Sequence, residues 1–408
     1  LLPGECMLYS NQNIRISRWY DLSKNLHNIN NEENNIKKEL NSELEKAIIL
    51  NNRSDAKIAI SLSGGLDSNT LLSFYKNSDT LKNIPQCYSV SFEKFLVEKK
   101  LIKLTEKYFN LKSNFTQFYK KNLIKNFDEL TTITESPLGG IMNLGMYELF
   151  KNIKKDGYKV VLDGTGLDEI LGGYDVSHLI YLYQLKKKDK KNFLKVLKKF
   201  SLFNKVTLEN SKKRVKNFNP DIYNSIDGFK LSKEIINQNF FKKTNILKKN
   251  SPKQDMLFDH IVDYLQFSKI PRNNRLKDRA SMSNSIELRL PFLEHKLVEY
   301  CLSLPKDIIF GDGKTKSILR KLMENKMSNR LRTTPKISQQ SPQNEWLKSQ
   351  PFKDHFNDMI NSKNFRERGI FNYKKTINEW KNFNNKKQET SFFIWQIYCT
   401  EIWCRKFL

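Results

Sequence analysis

A short glycine-rich loop, placed between an apolar segment and a helical pattern, constrains this chain more than any other feature. The segment Lys57–Leu62 is apolar at nearly every position, which is typical of a parallel strand buried on both faces. The loop Ser63-Gly64-Gly65-Leu66-Asp67-Ser68 follows it, and a helix is predicted over Asn69–Tyr75. Because parallel sheets bind ligands at the carboxyl ends of their strands, this unit predicts an α/β protein with a site at the loop.

The residue types in this loop indicate that it binds an anion together with a cation. Two glycines let the backbone turn sharply, and the backbone N–H groups at the start of a helix attract anions. Ser63 and Ser68 add hydroxyl donors. An acidic side chain inside an anion-binding loop requires a cation, so Asp67 predicts Mg²⁺. The alternative is a glycine-rich strand–helix turn in which a serine caps the helix.

A second loop of similar design follows another buried segment, Tyr158–Leu162. It reads Asp163-Gly164-Thr165-Gly166-Leu167-Asp168. Because the carboxyl ends of parallel strands meet at one edge of a sheet, the two loops are expected to lie side by side. Asp67 and Asp168 could then share one Mg²⁺.

The order of the elements predicts an α/β fold. A parallel sheet within residues 50–175, with helices on both faces, is followed by a mostly helical region, residues 176–408. No strand is expected after Tyr174. Residues 1–24 are predicted to form two short lead-in strands, Glu5–Tyr9 and Ile14–Tyr20. The remaining sheet-region predictions are strands at Gln86–Phe92 and Asn114–Phe118, and helices at 36–48, Val97–Phe109, Leu123–Thr131 and Gly145–Lys155.

The net charge of +27 raises a nucleic-acid hypothesis. Residues 186–249 hold about half of the excess, with 19 basic and 5 acidic side chains. The chain is also crowded with Asn, Lys and Ile, as AT-rich coding produces. We therefore interpret the charge as compositional bias and do not expect a nucleic-acid partner.

Other features of the composition predict a cytoplasmic protein. No uncharged apolar stretch approaches the ~18–20 residues that a membrane span needs. The five cysteines are scattered and form no C-x-x-C pair, which indicates reduced thiols and no zinc site.

Three ordered blocks resemble known family signatures. The first loop resembles the pyrophosphate-binding loop of the ATP-pyrophosphatase families, whose fold belongs to the adenine-nucleotide alpha-hydrolase type. Asp163–Tyr174 resembles the S-G-E-G-x-D-E-x-x-G-G-Y signature of asparagine synthetases, and Asp278–His295 resembles their D-R-x-S-M-x-x-S-I-E-x-R-x-P-F-L-D. Lys316–Arg320 matches their K-x-I-L-R. The series runs over residues 50–350 and identifies the chain as a relative of the class B, glutamine-hydrolysing asparagine synthetases.

The resemblance implies a domain organisation. Residues 2–22 resemble the end of that family's N-terminal glutaminase domain, so residues 1–24 are interpreted as its remnant and residues 33–408 as the ligase domain. It also implies an amide ligase that uses ATP and Mg²⁺, adenylates a carboxylate and then admits ammonia. The ammonia is free, or comes from glutamine if a glutaminase domain is present. A homodimer is compatible with the resemblance.

The resemblance also implies site residues. Asp67 and Asp168 would bind the metal and, with Lys316 and Thr165, form the catalytic set. Glu287 and Arg289 are candidates for the acceptor pocket, with a structural ion pair as the alternative. ATP and pyrophosphate would be bound by Leu62, Ser63, Gly64, Gly65, Asp67, Ser68, Val90, Asp163 and Gly164.

Departures from the family pattern concern the acceptor. Asp163 replaces Ser, and Thr165 replaces the Glu that is implicated in the ammonia step. Threonine cannot act as a general base near pH 7. Ser338-Gln339 replaces a usual Gly-Phe. The sequence therefore predicts ATP-dependent activation of a carboxylate, with aspartate as a poor substrate or none.

Two alternatives remain open from the sequence. A tRNA-modifying enzyme with the same loop would suit the basic charge, and Phe193, Phe200, Phe203 and Phe218 would then stack on bases, unless they are core residues of short helices. A non-catalytic scaffold would be expected to have lost Asp67, Asp168 or Lys316, and all three are present.

Overall fold

The computed structural model of the protein describes residues 1–29, 32–81, 83–93, 97–219, 235–237, 255–336, 341–385 and 391–408. Its centre is a five-stranded sheet in the order β5-β4-β3-β6-β7, with every neighbouring pair parallel. A separate antiparallel hairpin, β1-β2, precedes it. The strands are β1 (Glu5–Ser10), β2 (Asn13–Arg18), β3 (Ile58–Ser61), β4 (Gln86–Phe92), β5 (Ser113–Phe118), β6 (Val160–Asp163) and β7 (Glu287–Arg289).

The register of the sheet brings the two glycine-rich loops together. Ser61, the last residue of β3, lies opposite Asp163, the last residue of β6. Both loops therefore leave the sheet from adjacent strands at the same edge. The predicted parallel sheet is confirmed, and its central strand is the one that carries the first loop.

Helices follow the strands and form most of the C-terminal region. In the sheet region they are α1 (Glu33–Asn51), α2 (Leu66–Asn77), α3 (Val97–Phe109), α4 (Leu123–Thr134), α5 (Ile141–Lys155) and α6 (Leu167–Ile170). Beyond it lie α7 (Asp175–Lys188), α8 (Lys190–Asn204), α9 (Leu208–Lys216), α10 (Met256–Gln266), α11 (Lys269–Met282), α12 (His295–Ser303), α13 (Lys306–Phe310), α14 (Ser317–Leu322), α15 (Asn329–Thr333), α16 (Gln343–Leu347), α17 (Gln350–Asn361), α18 (Lys363–Arg368), α19 (Tyr373–Asn384) and α20 (Phe392–Phe407).

Helices cover both faces of the sheet, as the uniformly apolar strands predict. On one face Ile60 and Leu162 pack in a core that includes the buried side of α1 and α7. On the other face Ala59 and Val161 pack in a second core with α4 and the aromatic helix α20. The sheet is thus held rigidly between two apolar layers, and its carboxyl edge is a fixed platform for the loops.

The expectation that no strand follows Tyr174 is wrong. Residues Glu287–Arg289 form β7, which pairs with β6 so that Val160 lies opposite Glu287 and Leu162 opposite Arg289. A strand of three residues is too short to show a period of two in the sequence. Its extended conformation is set by pairing with β6, an interaction between residues more than a hundred positions apart.

The N-terminal hairpin is the least buried part of the described chain. Almost every residue of β1 and β2 is exposed. After the hairpin, the Tyr20 hydroxyl donates a hydrogen bond to Glu299 Oε1 at 2.8 Å, which ties the lead-in segment to α12. In the described part of the chain, no helix is both long and apolar enough to cross a membrane.

Candidate active site

The first loop places two of its functional side chains on a helix. The helix α2 begins at Leu66, so Asp67 and Ser68 lie in its first turn. Gly64 has a φ of +69°, and a Cβ there would lie 2.8 Å from the backbone nitrogen of Ile102. Only glycine therefore lets this loop turn in the left-handed region while α3 packs against it. The Ser63 and Ser68 hydroxyls lie 3.3 Å apart inside the turn.

Lys316 lies between the two loops. Its ammonium group contacts Asp67 Oδ1 and lies 2.5 Å from Asp168 Oδ1, and the residue is only 5% exposed. A second lysine, Lys336, contacts the other oxygen of Asp168 at 2.7 Å. We call Asp67, Asp168, Lys316 and Lys336 the phosphate-side cluster. Gly173 leaves room for it, since a Cβ there would lie 1.8 Å from Asp168 Oδ1.

Burial and the neighbouring charges have opposing effects on the pKa values of the phosphate-side cluster. Burial and the nearby Asp168 raise the pKa of Asp67, even though Lys316 acts against them. Burial also acts to raise the pKa of Asp168, but the two lysines outweigh it and lower that pKa. The pKa of Lys336 is lowered by burial and that of Lys316 is raised by its two carboxylates. The pKa values of the two carboxylates are thus shifted in opposite directions although the two share one ammonium group.

A second charged group lines the opposite part of the cavity. Lys277 Nζ lies 3.0 and 3.1 Å from the two oxygens of Asp163 and donates to Thr165 Oγ1 at 2.8 Å. The Thr165 hydroxyl in turn contacts Asp163, and its backbone N–H donates to Asp163 Oδ1 at 2.9 Å. Burial acts to raise the pKa of Asp163, but Lys277 and Thr165 lower it overall. We call these three residues the Asp163 triad.

A cavity of about 410 Å³ lies between the two groups. Its lining includes both glycine-rich loops, so the structure brings most of the sequence-predicted site residues to one place. These are Ser63, Gly64, Gly65, Asp67, Ser68, Asp163, Gly164, Thr165, Asp168 and Lys316. Leu62 and Val90 lie in or beside the carboxyl ends of β3 and β4 and are not among the lining residues.

The structure does not bring Glu287 and Arg289 to this cavity. Arg289 pairs with Glu287 at 2.8 Å, and its guanidinium donates to the carbonyl oxygens of Asn51 and Arg53. Because those carbonyls lie at the end of α1, the arginine joins that helix to the edge strand β7. The geometry matches the alternative of a structural ion pair, although Glu287 is exposed and the pair is not fully buried.

Sequence reasoning missed several residues of the cavity. Lys277 directly precedes the D-R-A-S-M block, and Lys336 lies just before Ser338-Gln339, which are outside the described residues. Neither lysine could be singled out among so many. Arg320 was inside a recognised motif, and its guanidinium donates to the carbonyl oxygens of Thr315 and Thr334. It therefore holds the segments that precede both Lys316 and Lys336, and burial lowers its pKa only to about 10.

Tyr174 closes one side of the cavity. Its hydroxyl donates to Glu169 Oε1 at 2.5 Å, and the ammonium groups of Lys269 and Lys336 each lie 3.8 Å from its ring centroid. These cation–π contacts and the hydrogen bond orient the last residue of the second recognised block.

The donor set fits Mg²⁺. Asp67 and Asp168 direct one carboxylate oxygen each to the Lys316 ammonium group, which would have to withdraw before both oxygens could bind one Mg²⁺. In nucleotide sites Mg²⁺ takes one or two carboxylates together with phosphate oxygens and water. Over the ranges that the structure describes, no group of three or more His, Cys, Asp or Glu side chains could hold a metal ion. A phosphate-bearing ligand would therefore have to complete the coordination.

Fold and site together define an α/β protein with a charged cavity at the carboxyl edge of its parallel sheet. The family model for asparagine synthase matches residues 39–405. The chain belongs to the asparagine synthase family, as the resemblance of its motifs predicts.

The curated proteins that match this chain include both asparagine synthetases and amidases by name. The chain is 24% identical over 341 residues to "Asparagine synthetase [glutamine-hydrolyzing] 1" of Bacillus subtilis, covering 79% of this chain and 52% of that protein. It is 20% identical to "Amidase chry2" of Gibberella zeae, covering 87% of this chain and 60% of that protein. The chain thus spans about half the length of the curated relatives it matches.

Among solved structures, the U34-tRNA thiolase NcsA from Methanococcus maripaludis aligns with 62% of this chain and 82% of its own. The identity is 14% and the TM-score is 0.24, which is too low to support an argument.

Proposed function

We propose that the protein is an ATP-dependent amide ligase that works by adenylation. A carboxylate oxygen of the acceptor attacks the α-phosphorus of ATP, and the bond to the bridging oxygen breaks so that pyrophosphate leaves. Ammonia then attacks the acyl carbon, the bond to AMP breaks, and one proton is lost. The observation that carries the proposal is the phosphate-side cluster, in which Lys316 joins the acidic residues of two glycine-rich loops.

The described side chains suit the first step. The backbone of Ser63–Ser68 and the first turn of α2 would bind phosphate oxygens. Lys316 and Lys336 would neutralise the charge that develops on the leaving pyrophosphate, and the burial of Lys316 makes its interaction stronger than it would be in water. Asp67 and Asp168 would hold Mg²⁺, which when bound neutralises phosphate charge and orients the phosphates.

The Asp163 triad bears on the second step and on the acceptor. Its carboxylate is already paired with Lys277 and its pKa is lowered, so it is a weak base. The triad therefore lacks the free carboxylate that the family's usual glutamate offers. This supports an acceptor other than aspartate. The ammonia would be free, or a glutaminase domain would supply it from glutamine. We place the reaction in the cytoplasm.

The basic stretch is described over residues 186–219 and 235–237, while the rest of residues 186–249 lies outside the described residues; the described part does not favour an RNA substrate. Phe193, Phe200 and Phe218 are buried, and the ring of Phe203 lies 4.9 Å from the Arg320 guanidinium. Single-stranded RNA binding needs exposed aromatic rings among the basic side chains. These four phenylalanines are core or packed residues, as the alternative interpretation of the sequence has it.

Isotope exchange between ATP and pyrophosphate tests the proposal. The protein is assayed with Mg²⁺ and a panel of amino acids, dicarboxylates and sugar acids. At least one carboxylate should support exchange, and Lys316→Met should reduce it by about 10²–10³-fold. Lys314→Met is the matched control, because Lys314 is exposed and lies two residues away. Exchange that is absent with every carboxylate, or unchanged in Lys316→Met, would contradict the proposal.

A further inference from the structure

A cationic groove lies next to the cavity, along a neighbouring face of α3. It encloses about 530 Å³ and is lined by Lys99, Lys100, Lys103, Leu104, Lys107 and Arg330. Five of its six lining residues are cations. Among the described residues, one carboxylate forms an ion pair with a cation of the groove. This is Glu106, which accepts a hydrogen bond from Lys103 at 2.6 Å.

The groove and the cavity share a thin wall. Leu101 and Leu331 line the cavity, while their chain neighbours Lys100 and Arg330 line the groove. The first loop packs against the same helix, because a Cβ at Gly64 would lie 2.8 Å from the backbone nitrogen of Ile102 and 3.0 Å from the carbonyl carbon of Leu101. The groove therefore begins at the end of the cavity where the loop would bind phosphates.

The charge of the groove favours a small, highly charged anion. Like charges gathered in one concavity repel each other, and a groove lined by one sign of charge concentrates counter-ions. The ammonium groups of Lys99 and Lys103 lie 5.7 and 5.5 Å from the ring centroid of Phe115, and Lys103 also forms an ion pair with Glu106. For Lys100, Lys107 and Arg330, no ion pair with a described residue is present. These three are the side chains best placed to take an anion.

We propose that the cationic groove binds inorganic pyrophosphate after it leaves the nucleotide cavity. The proposal rests on the proposed function, because adenylation is the reaction that would release pyrophosphate beside this wall. The groove would hold the product outside the cavity, so that AMP remains attached to the acceptor while pyrophosphate departs. The binding itself is electrostatic and requires no change in the covalent chemistry.

Calorimetric titration with inorganic pyrophosphate tests the groove directly. The full chain is first saturated with an ATP analogue that has a methylene bridge between the α and β phosphorus atoms, which blocks the cavity. The test variant combines Lys100→Gln, Lys107→Gln and Arg330→Gln. The matched control combines Lys191→Gln, Lys195→Gln and Lys198→Gln, three exposed lysines of α8 that line neither the groove nor the cavity. Both variants lose the same charge.

The groove variant should bind pyrophosphate about tenfold more weakly than the wild type, and the control should stay within about twofold. Added salt should weaken wild-type binding. Equal weakening in both variants, or wild-type affinity in the groove variant, would overturn the proposal. Tight binding of a short single-stranded RNA at the groove, with no pyrophosphate binding, would also overturn it. Absence of exchange activity with every carboxylate would count against the proposed function alone, because this titration needs no turnover.

Discussion

The two charged groups that line the cavity both consist of lysines paired with aspartates, but the pairs are arranged differently. In the Asp163 triad, one lysine meets one aspartate through both carboxylate oxygens, and the Thr165 hydroxyl joins them. In the phosphate-side cluster, two lysines meet two aspartates, and Lys316 is shared between the loops. The triad is complete without a ligand.

The pKa values express this difference. The pKa of Asp163 is lowered, so its ionised form is favoured by the fold. The pKa of Asp67 is raised, so the fold disfavours the charge that a Mg²⁺ ligand needs. We propose that the triad holds its loop, and that the phosphate-side cluster rearranges when a cation and phosphates enter. Both groups pair equal numbers of lysines and aspartates, and the raised pKa of Asp67 is what distinguishes the phosphate-side cluster.

The largest effect is expected from a substitution that breaks the phosphate-side cluster. Asp67→Asn should lower ATP–pyrophosphate exchange by about 10³-fold or abolish it, because a neutral amide cannot replace a metal-bridging carboxylate. Asp128→Asn is the control, since Asp128 is an exposed aspartate paired with Lys406 on the surface. Exchange at the wild-type rate in Asp67→Asn would remove the cluster from the reaction.

Breaking the Asp163 triad should cost stability. Lys277→Met leaves Asp163 buried without its cation, and removal of one partner of a buried pair costs about 3–5 kcal/mol. Urea denaturation measures the free energy of unfolding, with Lys314→Met as the control. Asp163→Asn removes the charge that Lys277→Met leaves unpaired. The double variant Lys277→Met/Asp163→Asn should therefore recover part of the lost free energy of unfolding. A loss in Lys277→Met no larger than in the control would show that the triad does not hold the loop.

Restoring the family's residues at positions 163 and 165 tests whether the Asp163 triad limits the formation of asparagine. In Thr165→Glu alone, a second carboxylate would sit against Asp163 and compete for Lys277, so formation of asparagine from aspartate should stay low. The double variant Asp163→Ser/Thr165→Glu moves the charge back and should raise asparagine formation by about 10²-fold, the lower end of general-base contributions. Amino-acid analysis after incubation with ATP, ammonia and aspartate measures it. Rapid asparagine formation by the wild type would show that Thr165 is a tolerated substitution.

The smallest effects are in the pH dependence of stability. A carboxylate whose pKa is lowered by folding stabilises the protein above its ordinary pKa, near 4, and that stabilisation is lost as the pH falls through the lowered value. Asp163→Asn should therefore be less stable than the wild type near neutral pH and lose less stability in acid. A carboxylate whose pKa is raised behaves in the opposite way, so Asp67→Asn should be at least as stable as the wild type at neutral pH. Urea denaturation at pH 7 and at a pH well below 4 measures both, and equal pH profiles for the two variants would contradict the assigned directions.

Much of the fold followed from local patterns. The strands around the first loop, the amphipathic helix with buried Ile36, Leu40 and Leu44, and the covering of both sheet faces are all read from apolar spacing. The meeting of Asp67 and Asp168 also followed, because parallel strands end at one edge. Their roles, like that of Lys316, stay predictions until exchange is measured.

The two loops, their order along the chain and the parallel sheet that brings them together are encoded in local sequence patterns. Each depends on residues that are neighbours in the chain. Long-range packing brings Lys277 and Lys336, two of many lysines, into the cavity, and it makes Arg289 join α1 to β7. These contacts join segments more than a hundred residues apart. A charged side chain leaves no periodic trace in the sequence, so its partner is set by packing and by the cost of burying a charge unpaired.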